Sequence, residues 1–386
     1  MTIRKRGNSF EILVSLGFDS KGKRIRKCFT FNPDPTMTKR QAEQAAYKYG
    51  IEIENKLKRG ISVKNDSMTF DQFAELYFKD HASHLKEYTA VQYKDIYDRH
   101  IKSYFGDMRI KNIGAMDVRQ WLSELESADK TKELTENSKG VYYRTLSSMF
   151  GVAVRWEIID DNPCRRVTMP KSKQTRVKAL QLEEFNDLFS KIDSYPDVRT
   201  VLLVYIFSMT GIREGEAAGL KWSDIDFENK IMHIEREVVY IPQKGVRITP
   251  PKSSTSIRDV YISEVLCEKL TEYKHIQDKE IEARGDLYQN EGYIISQFNG
   301  SPVHASSIRK MIKRAFEKIG VPYVGVHGLR HTYASLLTAA GVDIRTTAAQ
   351  LGHSTPSITM NIYANPQNEA KRRAADVIGR LAKREN

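Results

Sequence analysis

Five short clusters toward the C-terminus carry side chains able to do chemistry. They are Thr210-Gly211-Ile212-Arg213-Glu214-Gly215-Glu216, Pro251-Lys252-Ser253-Ser254-Thr255-Ser256-Ile257-Arg258, His327-Gly328-Leu329-Arg330-His331-Thr332, Leu351-Gly352-His353-Ser354 and Tyr363-Ala364-Asn365-Pro366. A guanidinium is a planar fork of fixed charge and suits an anionic phosphoryl group. Lysine and histidine can move protons, and a tyrosine hydroxyl that gives up its proton is a nucleophile. Singly, each cluster has a plainer reading. An arginine after a buried helix is usually a surface residue, a lysine in a turn is usually solvated, His-x-x-Arg arises by chance, and a tyrosine near a C-terminus is usually core.

Taken in order and spacing, the five clusters closely resemble the tyrosine recombinases, the phage and conjugative-transposon integrases. The resemblance covers the last segment with all five motifs. With less specific signals it extends to a helical core-binding domain and an arm-type N-terminal domain. It implies an active site of Arg213, Lys252, His327, Arg330 and His353, with Tyr363 as nucleophile and Glu216 in a supporting acidic position. Two departures are slight: Ile212 stands where leucine is more usual, and Asn365 where histidine is common.

The chemistry fits those residue types in its own right. Attack on a phosphodiester builds charge on its non-bridging oxygens, and Arg213 and Arg330 can clamp it, with His353 donating a further hydrogen bond. A tyrosine hydroxyl has a pKa of about 10, so Tyr363 must lose its proton as it attacks. His327 is the candidate base, and nearby arginines favour the phenolate. The departing 5′-hydroxyl needs a proton, for which Lys252 is the candidate acid. The resulting 3′-phosphotyrosyl link keeps the energy of the broken bond, so neither ATP nor a metal cofactor is expected. A 5′-hydroxyl from an exchange partner reverses the step. His331 is expected to pack on its helix, and His233, His275 and His304 carry no motif. Glu216 is expected to brace Arg213 by a salt bridge.

The elements that must position these residues follow from periodicity. In the last segment, Leu180–Ile192 is expected to be a helix and Val198–Met209 a buried one. Three strands are expected at Ile231–Ile241, Gly245–Thr249 and Ile257–Ile262. Helices are expected at Ser263–Ala283, Ser306–Lys318, Arg330–Ala340, Ile344–Leu351 and Pro356–Ile362. An amphipathic tail with Ala374, Val377, Ile378 and Leu381 packs on its own domain or, as the resemblance implies, on a neighbouring protomer of a tetramer.

Residues 67–165 read as all helix. Capping boxes are expected at Thr69/Gln72 and Thr89/Gln92, Asp117 is expected as a cap, and Thr135 precedes a long helix with Val141, Tyr142, Leu146, Met149 and Phe150. Asp161-Asn162-Pro163 closes the bundle, and most tyrosines there are expected in its core. At the N-terminus, Phe10, Ile12, Val14 and Leu16 alternate with Glu11, Leu13 and Ser15, and Ile25, Lys27, Phe29 and Phe31 with Arg24, Arg26, Cys28 and Thr30. That leaves Arg24 and Arg26 on one strand face. A helix capped by Thr38 and Gln41 follows, with Ala42, Ala45, Ala46, Tyr49, Ile53 and Leu57 as its stripe and Gly60 at its end. Such a module could be a β-ribbon DNA reader or an ordinary α/β module with a wet basic face.

Charge separates the function classes. The 386 residues carry a net +12, and residues 1–60 alone hold 14 basic and 6 acidic side chains, a net +8. A concentrated basic region suits a polyanion. The stretch 165–178 holds Arg165, Arg166, Lys171, Lys173, Arg176 and Lys178 and no acid, so it tracks a phosphate backbone or is a solvated tether. The longest apolar run, Val201–Phe207, is far short of a membrane span, and no secretory leader is visible. Three dispersed cysteines argue against a disulfide framework or a zinc site and for a reducing, cytoplasmic setting.

The expected fold is therefore multidomain. It comprises a small α/β N-terminal domain (1–60, a three-stranded sheet plus helix), an all-α core-binding domain (67–165), a basic linker (166–178) and an α+β tyrosine-recombinase catalytic domain (179–386). The expected function is site-specific recombination that integrates, and also excises, a mobile element. The expected partners are double-stranded DNA at core-type and arm-type sites, a homotetramer on that DNA, and an excisionase or DNA-bending host factor. Arg24, Arg26, Lys27, Arg165, Arg166, Lys171 and Lys173 are the candidate DNA contacts. The alternatives are type IB topoisomerase-like relaxation, which needs no partner site, and a non-catalytic DNA-binding regulator.

Overall fold

The computed structural model describes residues 1–18, 24–58, 67–126, 133–170, 178–251 and 256–352. The chain forms two compact units, Met1–Gln174 and Thr175–Asn386, and the boundary falls inside the basic stretch 166–178. No described helix is long and apolar enough to cross a membrane.

The first unit opens with an antiparallel sheet in the order β1 (Thr2–Arg6), β2 (Ser9–Phe18), β3 (Arg24–Phe31). Its inner face buries Phe10, Ile12 and Val14 against Ala42, Ala46, Ile53 and Leu57 of α1 (Lys39–Lys58). The Thr38/Gln41 box opens α1: Gln41 Oε1 accepts from the Thr38 N–H at 2.9 Å, and Thr38 Oγ1 from the Gln41 N–H at 3.4 Å. The expected turn at Asp19–Gly22 and the stop at Gly60 lie outside the described residues.

A separate core is built by α2 (Phe70–Leu76), α3 (Glu87–Ile96), α4 (Lys102–Phe105), α5 (Ala115–Glu124) and α6 (Glu136–Arg155). α2 and α3 each run on into a π-helical turn, Tyr77–His81 and Tyr97–Ile101. Phe70, Phe73, Tyr77, Tyr97, Trp121, Tyr143 and Phe150 fill this core. Thr69/Gln72 and Thr135 cap as expected. One expected cap does not, and the other caps from inside the helix. Lys86 is the N-cap of α3, which puts Thr89 inside the helix. Asp117 sits in the first turn of α5 and accepts from the Gly114 N–H at 2.7 Å. Leu76, the last residue of α2, is 39% exposed, and the π-helical turn begins right after it. Asn162 caps the short 3₁₀ turn Pro163–Arg166 by accepting from the Cys164 N–H.

The second unit is organised around α8 (Val198–Thr210), buried on nearly every side. Preceding it is α7 (Leu182–Ile192), which starts two residues later than expected, with Gln181 as N-cap and its N–H held by Glu184 Oε2 at 2.8 Å. Following it come α9 (Glu214–Gly219), a short helix that periodicity did not show, and β4 (Ile225–Asp226). The single strand expected at Ile231–Ile241 is two, β5 (Ile231–Ile234) and β6 (Glu237–Ile241), in different sheets. The chain turns at Glu235–Arg236, where Arg236 pairs with the buried Asp224 and its carbonyl lies against Gly219.

β6 pairs with β7 (Gly245–Thr249) as a hairpin, and β5 lies between β4 and β8 (Arg258–Tyr261). Then follow α10 (Glu264–Arg284), α11 (Ala305–Ile319), α12 (Gly325–Ala339) and α13 (Ile344–Leu351). α10, α11 and α12 pack on α8, and α13 packs on α12 and β8. α12 begins five residues before the expected Arg330, which brings His327 into its first turn. The expected helix Pro356–Ile362 and the tail around Ala374–Leu381 lie outside the described residues.

Candidate active site

Arg213 is the N-cap of α9, directly after the buried helix α8 ends at Gly211. Glu216, one turn into α9, accepts from both ends of Arg213: its Oε2 from the backbone N–H at 2.9 Å and its Oε1 from Nη1 at 2.7 Å. The carboxylate is 1% exposed and the Arg213 side chain 31%. A short helix start and a salt bridge thus aim one guanidinium while leaving its outer edge open.

Arg330 reaches the same place from α12. Its Nη1 donates to the Gly211 carbonyl at 2.6 Å and its Nη2 to the Leu351 carbonyl at 2.7 Å. Arg213 Nη2 donates to the next carbonyl, Gly352, at 2.9 Å. The last carbonyls of a helix have no intrahelical partner and carry the negative end of its dipole. Here they serve as rests for two arginines. Both glycines are required. Gly211 has φ 62°, and a Cβ there would fall 2.7 Å from Leu351 and Tyr333. Gly352 has φ 64°, and a Cβ would fall 2.7 Å from Arg258.

Arg258, from β8, was left without a role by the sequence reading although it ends the Pro251–Arg258 cluster. It pairs with Glu216 from the other side, Nη2 to Oε2 at 3.0 Å. Two guanidiniums therefore grip one buried carboxylate, whose charge is also felt by a third, Arg330. Burial pushes the Glu216 carboxyl up, but the hydrogen bonds and charge of Arg258 and then of Arg213 outweigh it and leave it below its usual value. Burial and the charge of Arg213 push the Arg330 guanidinium down to about 9, so it stays charged at neutral pH. A partly buried site with two surplus positive charges calls for an anion. Each guanidinium has five N–H groups, so Arg213 and Arg330 keep donors beyond the two bonds described for each.

His327 is exposed in the first turn of α12, and His331 is half-buried one turn on. Burial, then the charges of His327 and Arg330, lower the His331 pKa. His304 caps α11, and His233 meets Asp259 at 2.7 Å. The structure thus brings Arg213, Glu216 and Arg330 together. Lys252, His353 and Tyr363 lie outside the described residues.

The chain matches the Phage integrase family over residues 176–370 and the phage integrase N-terminal SAM-like domain over residues 69–126. A tyrosine recombinase XerC-like protein of Caldanaerobacter subterraneus is 30% identical, over 96% of this chain and 96% of its own. The chain belongs to the phage integrase family. It is a tyrosine recombinase, an enzyme of DNA strand cleavage and rejoining, and its multidomain fold is that of the integrases. The ICEBs1 integrase of Bacillus subtilis is 26% identical over 99% of this chain and 100% of its own. The Tn1549 transposon integrase in complex with a circular intermediate DNA superposes with a TM-score of 0.66 at 21% identity, covering 81% of this chain and 100% of that one. A lambda integrase tetramer bound to a Holliday junction gives 0.54 at 20% identity, covering 92% of this chain and 96% of that one.

The candidate DNA contacts are more scattered. Arg26 lies on the open face of the N-terminal sheet. Arg4 and Arg6 of β1, which the sequence reading missed for want of the first strand, share that face nearer its other end, opposite Glu11 and Ser9, whereas Arg26 is opposite Ser15. All three are exposed, with Glu11 among them. Lys27, opposite Val14, is on the inner, helix-covered side and half-buried. Arg24 pairs its backbone with Phe18, and nothing further of its side chain is described. Arg165 is exposed, and Arg166, also exposed, pairs with Asp161 at 2.9 Å. Lys171 and Lys173 lie outside the described residues.

Proposed function

We propose that this recombinase cuts each DNA strand by attack of Tyr363 on a phosphodiester held by Arg213 and Arg330, leaving a 3′-phosphotyrosyl bond and a free 5′-hydroxyl. The observation that carries the reading is the convergence of two arginines from distant parts of the sequence on the adjacent Leu351 and Gly352 carbonyls, around a single buried carboxylate. Their spare N–H groups supply what the phosphoryl oxygens need as charge builds on them, and because they are already oriented, little reorganisation is required. His353 follows directly on the anchored Gly352 and adds a donor. His327 takes the tyrosine proton, and Lys252 gives one to the leaving oxygen. Attack by a partner strand's 5′-hydroxyl restores the phosphodiester and frees Tyr363.

The substrates are double-stranded core-type sites, gripped by residues 67–165 and 179–386 as separate domains joined by the basic linker 166–178. Arm-type sites are taken by residues 1–60. Assembly as a homotetramer on two DNA sites, in a bacterial cytoplasm and with an excisionase or bending protein for direction, supports integration and excision of a mobile element. Similarity to the ICEBs1 integrase of Bacillus subtilis and to a prophage phiRv2 integrase of Mycobacterium tuberculosis supports this reading.

The test is a nicked core half-site that lets the short fragment bearing the freed 5′-hydroxyl diffuse away and traps the covalent complex. The parent protein accumulates a DNA adduct, while Tyr363→Phe binds the half-site normally and forms none. An adduct on the phenylalanine protein overturns the assignment. Relaxation of a plasmid lacking attachment sites would favour the topoisomerase-like alternative.

A further inference from the structure

Arg258 lies where three motif-bearing segments meet. It is 7% exposed. Its Nε donates to the Gln350 carbonyl at 2.8 Å, its Nη1 to Glu216 Oε1 at 3.2 Å and to the Ser256 carbonyl at 3.0 Å, and its Nη2 to Glu216 Oε2 at 3.0 Å. Four bonds use four of its five N–H groups, so it cannot offer a phosphate the paired contact an arginine normally makes. What it holds is the carboxylate that aims Arg213, the end of α13 whose next two carbonyls seat Arg330 and Arg213, and the backbone just after the segment that contains Lys252. Gly352 leaves room for it, since any side chain there would meet the Arg258 guanidinium.

We infer that Arg258 is a positioning residue for phosphoryl transfer, acting through Glu216 and the Gln350–Gly352 carbonyls rather than on the DNA. The inference rests on the reading of the site given above. Without Arg258, Glu216 would keep only Arg213 as a partner, and that carboxylate would draw Arg213 toward itself. The end of α13 would also lose one of its three guanidinium anchors, and the chain leaves that end toward His353 and Tyr363. Both changes move the reacting groups, and a misplacement of about 1 Å costs roughly 100-fold in rate.

The experiment compares Arg258→Lys, Arg258→Met and Arg258→Met/Glu216→Gln with the parent on the nicked half-site. It reads half-site affinity and the single-turnover rate of adduct formation separately. Arg258→Met is expected to bind within twofold of the parent and form adduct about 100-fold more slowly. Arg258→Lys should recover part of that rate, because an ammonium can meet Glu216 but not Gln350 as well. The double variant should lose no more than Arg258→Met alone.

A folded Arg258→Met protein with adduct formation within twofold of the parent overturns the inference. So does a fall in affinity as large as the fall in rate, which would mean a DNA contact. If neither methionine-bearing protein folds, Arg258→Lys decides alone, and parent-level cleavage by it overturns the inference. A parent protein that forms no Tyr363-dependent adduct would instead sink the reading of the site itself.

Discussion

The arginines of the second unit and those of the N-terminal sheet carry the same charge under opposite conditions. Arg213, Arg258 and Arg330 are pinned by a buried carboxylate and by carbonyls at helix ends. Arg4, Arg6 and Arg26 stand exposed on a sheet face, with the Arg6–Glu11 pair at a loose 3.7 Å. Holding a phosphate for attack requires fixed direction, because the gain comes from donors already aimed at the transition state. Holding a DNA backbone requires charge near the surface, because the gain comes largely from released counterions and tolerates mobile side chains. Arginine thus stands in this protein in two settings, once fixed by buried partners and once exposed on a sheet face.

The sharpest way to break that contrast is to keep the charge and remove the fork. Arg330→Lys should slow adduct formation by about 10²–10³-fold with little change in half-site affinity, measured by single-turnover cleavage beside a binding titration. Near-parent cleavage would mean that charge alone suffices there, as on the sheet.

A smaller effect is expected from the backbone that seats the fork. Gly211→Ala places a side chain at φ 62° and 2.7 Å from two neighbours, so the protein should lose about 1–3 kcal/mol of stability by denaturant unfolding and cleave more slowly. An unchanged unfolding midpoint would mean that the Gly211 carbonyl is not held as tightly as its bond to Arg330 implies.

On the sheet, replacing Arg4, Arg6 and Arg26 together by alanine should leave half-site cleavage at the parent rate. Binding of arm-type DNA should weaken uniformly, and its logarithmic salt slope should fall by about 3. A fragment starting near Ser62 should likewise cleave core sites yet fail to recombine full attachment sites, where bridging raises local concentration. Recombination of full sites at the normal rate would leave the basic sheet as a solubilising surface. The smallest expected effect is none: excess EDTA should leave adduct formation unchanged, because guanidiniums meet the charge that a metal would otherwise meet. Loss on chelation with rescue by magnesium would contradict this.

Much of the fold was legible because it is local. The Thr69/Gln72 and Thr38/Gln41 boxes, the Phe10–Ile12–Val14 alternation and the apolar α8 are each written in a short window of sequence. The errors arose where a distant partner overrode the window. Ile231–Ile241 looks like one strand, but the demand of Asp224 for Arg236 splits it between two sheets. Arg330 looks like a helix start only because Gly325–Gly328 contains two glycines, and packing carries the helix through them.

By itself the sequence determined the family, through five ordered motifs, and offered the candidate side chains for the chemistry. Only the tertiary structure decided which of them are aimed and by what. Glu216 is shared between two arginines, Gly211 and Gly352 lend their carbonyls as seats, and Arg258 ties β8 to the end of α13. Apart from the Arg213–Glu216 pair, three residues apart and expected from the sequence, no periodicity encodes those contacts, because each joins groups distant along the chain, and a hydrogen bond depends on where two atoms meet rather than on what stands beside them in sequence.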